Sequence, residues 1–164
     1  MAKVWSGKLK CTFHGPRHWE LDKDLWFLST QVYQYFSEWR ELGVELTRTI
    51  KREGPPSTKA KVIIRAGYHT DLASIHRLAW SFIAPWDVAR AAIIHDLLYK
   101  KIRLYRAGGG DDNQLIKKAK DASDNVFLMA MKDANPSVSS WKIRSAYWSV
   151  RLFGKWSIIP REED

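Results

Sequence analysis

Between Val88 and Leu98 the chain reads Val-Ala-Arg-Ala-Ala-Ile-Ile-His-Asp-Leu-Leu, followed by Tyr99, and no other run constrains the fold as much. Wound as a helix, at ~100° per residue, it carries apolar groups on nearly every face, so it is expected inside the molecule. His95 and Asp96 stand in the middle of that apolar surface and cannot both reach solvent. A carboxylate in such a place needs a partner or a cation, because unpaired burial costs several kcal/mol. Tyr99 lies four residues after His95, on the same face, and can join one hydrogen-bonded constellation with it. The plainer reading of the same residues is a helix with one wet stripe, Asp96 paired with Lys100 and His95 an ordinary core histidine.

The surrounding pattern predicts an α+β fold: small antiparallel β elements in the N-terminal half, then three packed helices. Apolar and polar residues partly alternate over Val4–Phe13, before Gly15-Pro16, and Leu25–Leu28 is a second strand candidate. Val32, Tyr35, Phe36 and Trp39 recur at helical spacing within Gln31–Leu42, which Gly43 can stop. Val44–Ile50 alternates like a strand, Gly54–Ser57 reads as an exposed loop, and Val62–Ile64 leads as a strand into Gly67. Pro85 and Asp87 suit a helix start, and Gly108–Gly110 closes the run at Arg106. Asp111 or Asp112 can cap a second helix that stops at Asn135-Pro136, and Ser137 can cap a third that ends at Gly154. We read residues 1–164 as one domain: a β-rich part over 1–66, a mainly helical part over 67–156, and a tail over 157–164.

Composition narrows the function classes. Nine tryptophans and 27 Lys+Arg against 18 Asp+Glu leave a net charge of +9, which suits nucleic acid, an anionic membrane or cell wall, or plain solubility. The crowding of Lys100, Lys101, Arg103 and Arg106 reads as a solvated helix end that complements the helix dipole. Cys11 is the only cysteine, which excludes an intrachain disulfide and a cysteine-rich zinc site. No apolar run approaches the ~20 residues of a membrane span, and the first residues lack a signal-type apolar block. The expectation is therefore synthesis in a reducing cytoplasm and no transmembrane segment.

Two further segments add chemistry. Gly67-Tyr68-His69-Thr70-Asp71-Leu72-Ala73-Ser74-Ile75-His76-Arg77 crowds polar side chains behind a strand, where they can project over a cleft or simply cap a turn. Asp124 shares its predicted helix face with Phe127, Leu128 and Met131 and wants a buried partner, whereas Asp121 reads as more exposed. Asp71, Asp96, Asp124 and His95 fit two chemistries. His95 can act as general base on a water, oriented by one carboxylate while the others hold calcium or magnesium. Alternatively, His95 with His69 or His76 and an aspartate can hold zinc with an open position. There is no helical zinc-peptidase motif, no nucleophile elbow and no phosphate loop.

Four strings carry a resemblance. Gly67-Tyr68-x-Thr70-Asp71-x-Ala73-Ser74, Ala91-x-x-x-His95-Asp96-x-x-Tyr99, Ser123-Asp124-x-x-Phe127-x-x-Ala130-Met131 and Tyr147-x-x-Val150-Arg151-Leu152-Phe153-Gly154 together resemble a small family of unknown function encoded by tailed bacteriophages and prophages. It differs in usually having proline where Arg65 and His76 stand, and the stretch 31–60 looks like an insertion. Locally, Ala91–Tyr99 is similar to the Cys-Cys-x-x-His-Asp-x-Cys-Tyr helix of secreted phospholipase A2. That similarity implies that His95 activates water, that Asp96 binds calcium, and that Asp124 on a partner helix orients His95. The glycine-rich calcium loop of those enzymes has no counterpart before His95, which leaves Asp71 as a substitute ligand.

The expected function is a phage-encoded hydrolase of the host envelope, cutting a lipid ester or a peptidoglycan bond. Its catalytic set is His95, Asp124, Asp71 and Tyr99, with Asp96 and Asp71 as ligands should a divalent cation take part. The alternative is a virion or tail protein that binds other phage proteins and whose polar cluster only fixes the fold. Nucleic-acid binding through Lys142, Arg144 and Arg151 interleaved with Trp141, Tyr147 and Trp148 is disfavoured, since the same pattern makes an amphipathic core helix with a wet basic edge.

Overall fold

Ala60, Val62 and Ile64 alternate with half-exposed Lys61 and Ile63, a period of two that buries one face of a strand. In the computed structural model, which describes residues 4–15, 18–51, 57–70, 85–134 and 137–162, this strand is the middle of a three-stranded antiparallel sheet. Strands β1 (Cys11–Gly15), β2 (His18–Leu21) and β6 (His69–Thr70) form a small sheet in the order β1-β2-β6, while β3 (Leu25–Ser29), β4 (Leu46–Lys51) and β5 (Ser57–Ile64) form the larger one in the order β3-β5-β4. Register runs from Leu25 opposite Ile64 to Ser29 opposite Ala60, and from Leu46 opposite Val62 to Lys51 opposite Ser57.

The expected strand Val4–Phe13 is divided. Trp5 bridges Phe27 at the edge of β3, with Leu28 N–H donating to Val4 O and Ser6 N–H to Trp26 O, whereas the strand proper begins at Cys11. The Trp5 indole explains the division: its Nε1 donates to Asp133 O at 3.1 Å and its ring lies 4.7 Å from Phe27, which pulls the segment into the main core. β2 was not evident from its own four residues; it is defined by pairing with β1 and β6.

The expected helix over Gln31–Leu42 is two short ones, α1 (Thr30–Gln34) and α2 (Phe36–Glu41), separated by Tyr35 at φ −114°, ψ 31°. Ser29 caps the first by accepting from Gln31 N–H, and Gly43 follows the second at φ +69°, where a side chain would be strained. The described residues between 31 and 60 contribute to the core and to the larger sheet. They supply β4, and Trp39 is fully buried in the core. Of the expected Gly54–Ser57 loop, only Ser57 lies among the described residues, and it opens β5.

Three long helices follow: α3 (Pro85–Ala107), α4 (Asn113–Lys132) and α5 (Ser140–Ser157). Between Val88 and Leu98, every residue but Arg90 is buried in α3, as its apolar pattern requires. Asp112 caps α4, its carboxylate accepting from Gln114 and Leu115 N–H. Ser139, rather than Ser137, precedes α5, and the helix runs past Gly154 to Ser157. The basic run on α3 is only partly solvated. Arg103 is buried and donates to Ser157 O, and Arg106 donates to Ile158 O, so both bind the carbonyl end of α5. α4 packs against both α3 and α5, and the larger sheet lies against α1 and α3. No helix among the described residues is long and apolar enough to cross a membrane.

Candidate functional site

His95 and Tyr99 are one turn apart on α3, and the face they share meets α4 at Asp124. His95 Nε2 lies 3.1 Å from Asp124 Oδ1, and Tyr99 donates its hydroxyl proton to the same oxygen at 2.7 Å. The other oxygen, Oδ2, accepts from Lys120 Nζ at 2.9 Å, one turn earlier on α4, and lies 3.5 Å from an Arg151 guanidinium nitrogen on α5. Arg151 also pairs with Asp121. Three helices thus converge on one carboxylate that is wholly removed from solvent.

This environment acts on Asp124 in two directions. Burial pushes its carboxyl up, but hydrogen bonds from His95, Lys120 and Tyr99 and the charge of the imidazole together hold it below the usual carboxylate range. Burial likewise raises the Tyr99 phenol far above its ordinary value, reinforced by the negative charge of Asp124, so Tyr99 remains a proton donor at any working pH. An ionised Asp124 can only accept hydrogen bonds, so Nε2 of His95 carries a proton and donates it to Oδ1, whereas Nδ1 points away from that carboxylate. That Nδ1 is buried, and among the described residues it has no hydrogen-bond partner. The ring itself is held between Tyr99 (centroids 4.0 Å apart) and Phe127 (5.0 Å).

Gly154 accounts for how closely α5 approaches. A Cβ there would collide with Tyr99 Oη and stand 3.1 Å from Cζ. The glycine therefore does not end the helix, as its sequence position suggested, but makes room for the phenol.

The site residues expected from sequence divide three ways. His95, Tyr99 and Asp124 are together. Asp96 turns to a different face of α3, where Tyr68 donates its hydroxyl proton to Oδ2 at 3.0 Å and the Lys100 ammonium lies 5.7 Å from the Tyr68 ring centroid. Asp71 and His76 lie outside the described residues. His69 sits on the exposed face of the small sheet, its Nδ1 2.8 Å from His18 Nε2, so the zinc reading that joined it to buried His95 is not realised. Among the described residues no group of three His, Cys, Asp or Glu is placed to hold a metal ion, so the site as described does not complete a cation shell around Asp96.

Lys120, Arg151 and Tyr68 were not singled out for this site. Lys120 carried a readable signal, its i,i+4 spacing to Asp124. Arg151 was grouped with a nucleic-acid surface, but it faces inward, and Tyr147 from the same group is half-buried with its hydroxyl 3.4 Å from Asn125 Oδ1.

A family model described as a protein of unknown function (DUF1353) matches residues 45–150, which include His95, Tyr99, Lys120, Asp121 and Asp124 and stop one residue short of Arg151. No curated protein and no solved structure matches the chain.

Proposed function

We propose that the chain, which belongs to the DUF1353 family of proteins of unknown function, is a bacteriophage-encoded hydrolase of the host envelope with His95 as its general base. One observation carries this reading: the imidazole is anchored through Nε2 to a buried, ionised carboxylate, while Nδ1, its other ring nitrogen, is left without a partner among the described residues. A purely structural histidine in a packed core usually has both nitrogens satisfied. An aspartate on a partner helix that orients the histidine, with a tyrosine one turn on, is what the similarity to the secreted phospholipase A2 helix leads one to expect.

In the proposed step a water attacks the carbonyl carbon of an ester or amide, and its proton passes to His95 Nδ1 as the new C–O bond forms. Asp124 holds the ring orientation and stabilises the imidazolium. When the tetrahedral intermediate collapses, the imidazolium returns the proton to the leaving oxygen or nitrogen and the original bond breaks. Tyr99, Lys120 and Arg151 are positioning residues that fix Asp124. No step is routed through a cation, although Asp96 and Asp71 remain its proposed ligands.

A second reading rests on a specific observation too. His95 and Asp124 are both fully buried, which suits a polar network that fixes the packing of three helices in a virion protein. His95→Gln separates the two. Wild type and variant are incubated with phosphatidylglycerol vesicles and with peptidoglycan sacculi, and released fatty acid and soluble muropeptides are measured. The hydrolase reading expects release by wild type and a loss of about a hundredfold or more in the variant, with the far-UV circular dichroism spectrum unchanged. Absence of release by wild type, or undiminished release by the variant, overturns it in favour of the structural role.

A further inference from the structure

Helix α5 has two apolar faces. The inner one, Ile143, Ala146, Val150 and Gly154, is buried against the rest of the molecule. The outer one consists of Trp141 (54% exposed), Trp148 (60%), Leu152 (60%) and Trp156 (56%), continued by Ile159 (49%) just beyond the helix end. At ~100° per residue the four positions on the helix fall within about 80° of one another, opposite the buried face, and at ~1.5 Å per residue the three tryptophans span about 22 Å. Singly exposed apolar residues need no explanation, but three tryptophans, a leucine and an isoleucine along one side of α5, interrupted only by Ser145, mark an interaction surface.

Charge identifies what covers it. Over Ser140–Ser157 the helix carries Lys142, Arg144, Arg151 and Lys155 and no acidic residue. Arg151 is committed to the site beneath. Arg144 and Lys155 flank the stripe, and the Lys155 ammonium lies 4.4 Å from the Trp156 ring centroid, its stem alongside apolar surface. The chain as a whole is positive by nine charges. A helix lying flat with tryptophan and leucine on one side and Arg144 and Lys155 along its margin has the chemistry of the boundary between anionic headgroups and acyl chains.

We propose that the outer face of α5 docks onto an anionic lipid surface. This goes beyond the hydrolase reading and stands without it, because docking requires no turnover. Should both hold, the helix that touches lipid is also the one that brings Arg151 to Asp124 and lays Gly154 against Tyr99.

The test is co-sedimentation of the full chain with phosphatidylglycerol vesicles and with phosphatidylcholine vesicles, at about 0.05 M and about 0.5 M NaCl. Three proteins are compared: wild type, the double variant Trp148→Glu/Leu152→Glu, and Phe13→Glu, which changes an equally exposed apolar residue on the small sheet. All three substituted positions face solvent, and circular dichroism checks that the fold is kept. Expected are binding to phosphatidylglycerol but little to phosphatidylcholine, weakening in high salt, a fall of about tenfold or more in the α5 variant, and no change for Phe13→Glu. The proposal is overturned by absence of binding to phosphatidylglycerol vesicles, or by equal binding of wild type and the α5 variant. It is also overturned if sedimentation equilibrium shows wild type to be a dimer that the α5 variant dissolves, since a second copy then occupies the stripe. Vesicle binding without fatty-acid or muropeptide release leaves the docking surface standing and removes the hydrolase.

Discussion

Gly154→Ala is a substitution whose sign tests how α5 is fitted to the site. In the interior of a helix, alanine is more favourable than glycine by about 1 kcal/mol, so propensity alone predicts a more stable protein. The added Cβ, however, would collide with Tyr99 Oη and crowd Cζ at 3.1 Å. The phenol has nowhere to go: its residue is 1% exposed, and its hydroxyl is bound to Asp124 at 2.7 Å. Overpacking of this kind costs about 1–3 kcal/mol. Pulling the hydroxyl from a carboxylate adds about 1.5–3 kcal/mol. Set against the gain in propensity, the net loss is about 1.5–5 kcal/mol. Urea denaturation followed by circular dichroism measures it as a lower midpoint at unchanged slope. A second substitution isolates the cause. Tyr99→Phe removes the colliding oxygen but keeps the ring, so Gly154→Ala made in that background should cost at least about 1 kcal/mol less than in wild type. Stabilisation by Gly154→Ala, or additive costs in the double variant, would refute the fit described here.

Three further outcomes follow from the same network and its helices. Because the Asp124 carboxyl is held below its ordinary range in the folded protein, its contribution to stability is complete above the unfolded value near 4 and is lost as pH falls through the folded value. Asp124→Asn should therefore flatten the acid limb of a stability–pH profile measured by thermal unfolding, and at pH 7 it should cost about 2–4 kcal/mol, since Lys120 loses the acceptor of its ion pair while keeping partial access to water. Asp112→Ala removes the acceptor for two N–H groups at the start of α4 and should lower stability by about 1 kcal/mol in the same urea assay, with wild-type behaviour counting against the cap. Tyr68→Phe should leave stability within about 1–2 kcal/mol of wild type and should not alter the slope of the acid limb that Asp124 sets, because Tyr68 serves Asp96 on another face of α3.

What the sequence made legible was decided by how local the cause is. The burial of α3 could be read from eleven residues because an all-round apolar helix has no alternative to being enclosed. The cap at Asp112 and the Gly108–Gly110 stop were readable for the same reason, with Gly109 taking φ +88° and Asp112 accepting from two N–H groups. The proximity of His95, Tyr99 and Asp124 could be anticipated because each is a polar group on an apolar face and each needs a partner. Three features were hidden. Arg151 looked like one more cation on a basic helix, and only the rotation of α5 turns it inward. Arg103 and Arg106 looked like a solvated terminus because their acceptors, the carbonyls of Ser157 and Ile158, lie some fifty residues away. Asp96 seemed to belong with His95 by adjacency, although one residue of helical rotation is enough to deliver it to Tyr68.

The saturation of Asp124 limits what this site can be. An ionised carboxylate offers about four lone-pair positions. Oδ1 uses two, for His95 and Tyr99, and Oδ2 faces Lys120 and, at longer range, Arg151. No position on Asp124 is left for a cation, and Lys120 and Arg151 already stand opposite Asp124 and Asp121. Asp124 is therefore built to orient and not to ligate. Asp96, adjacent to His95 in sequence, takes no part in this arrangement, since its carboxylate accepts from Tyr68 on another face of α3.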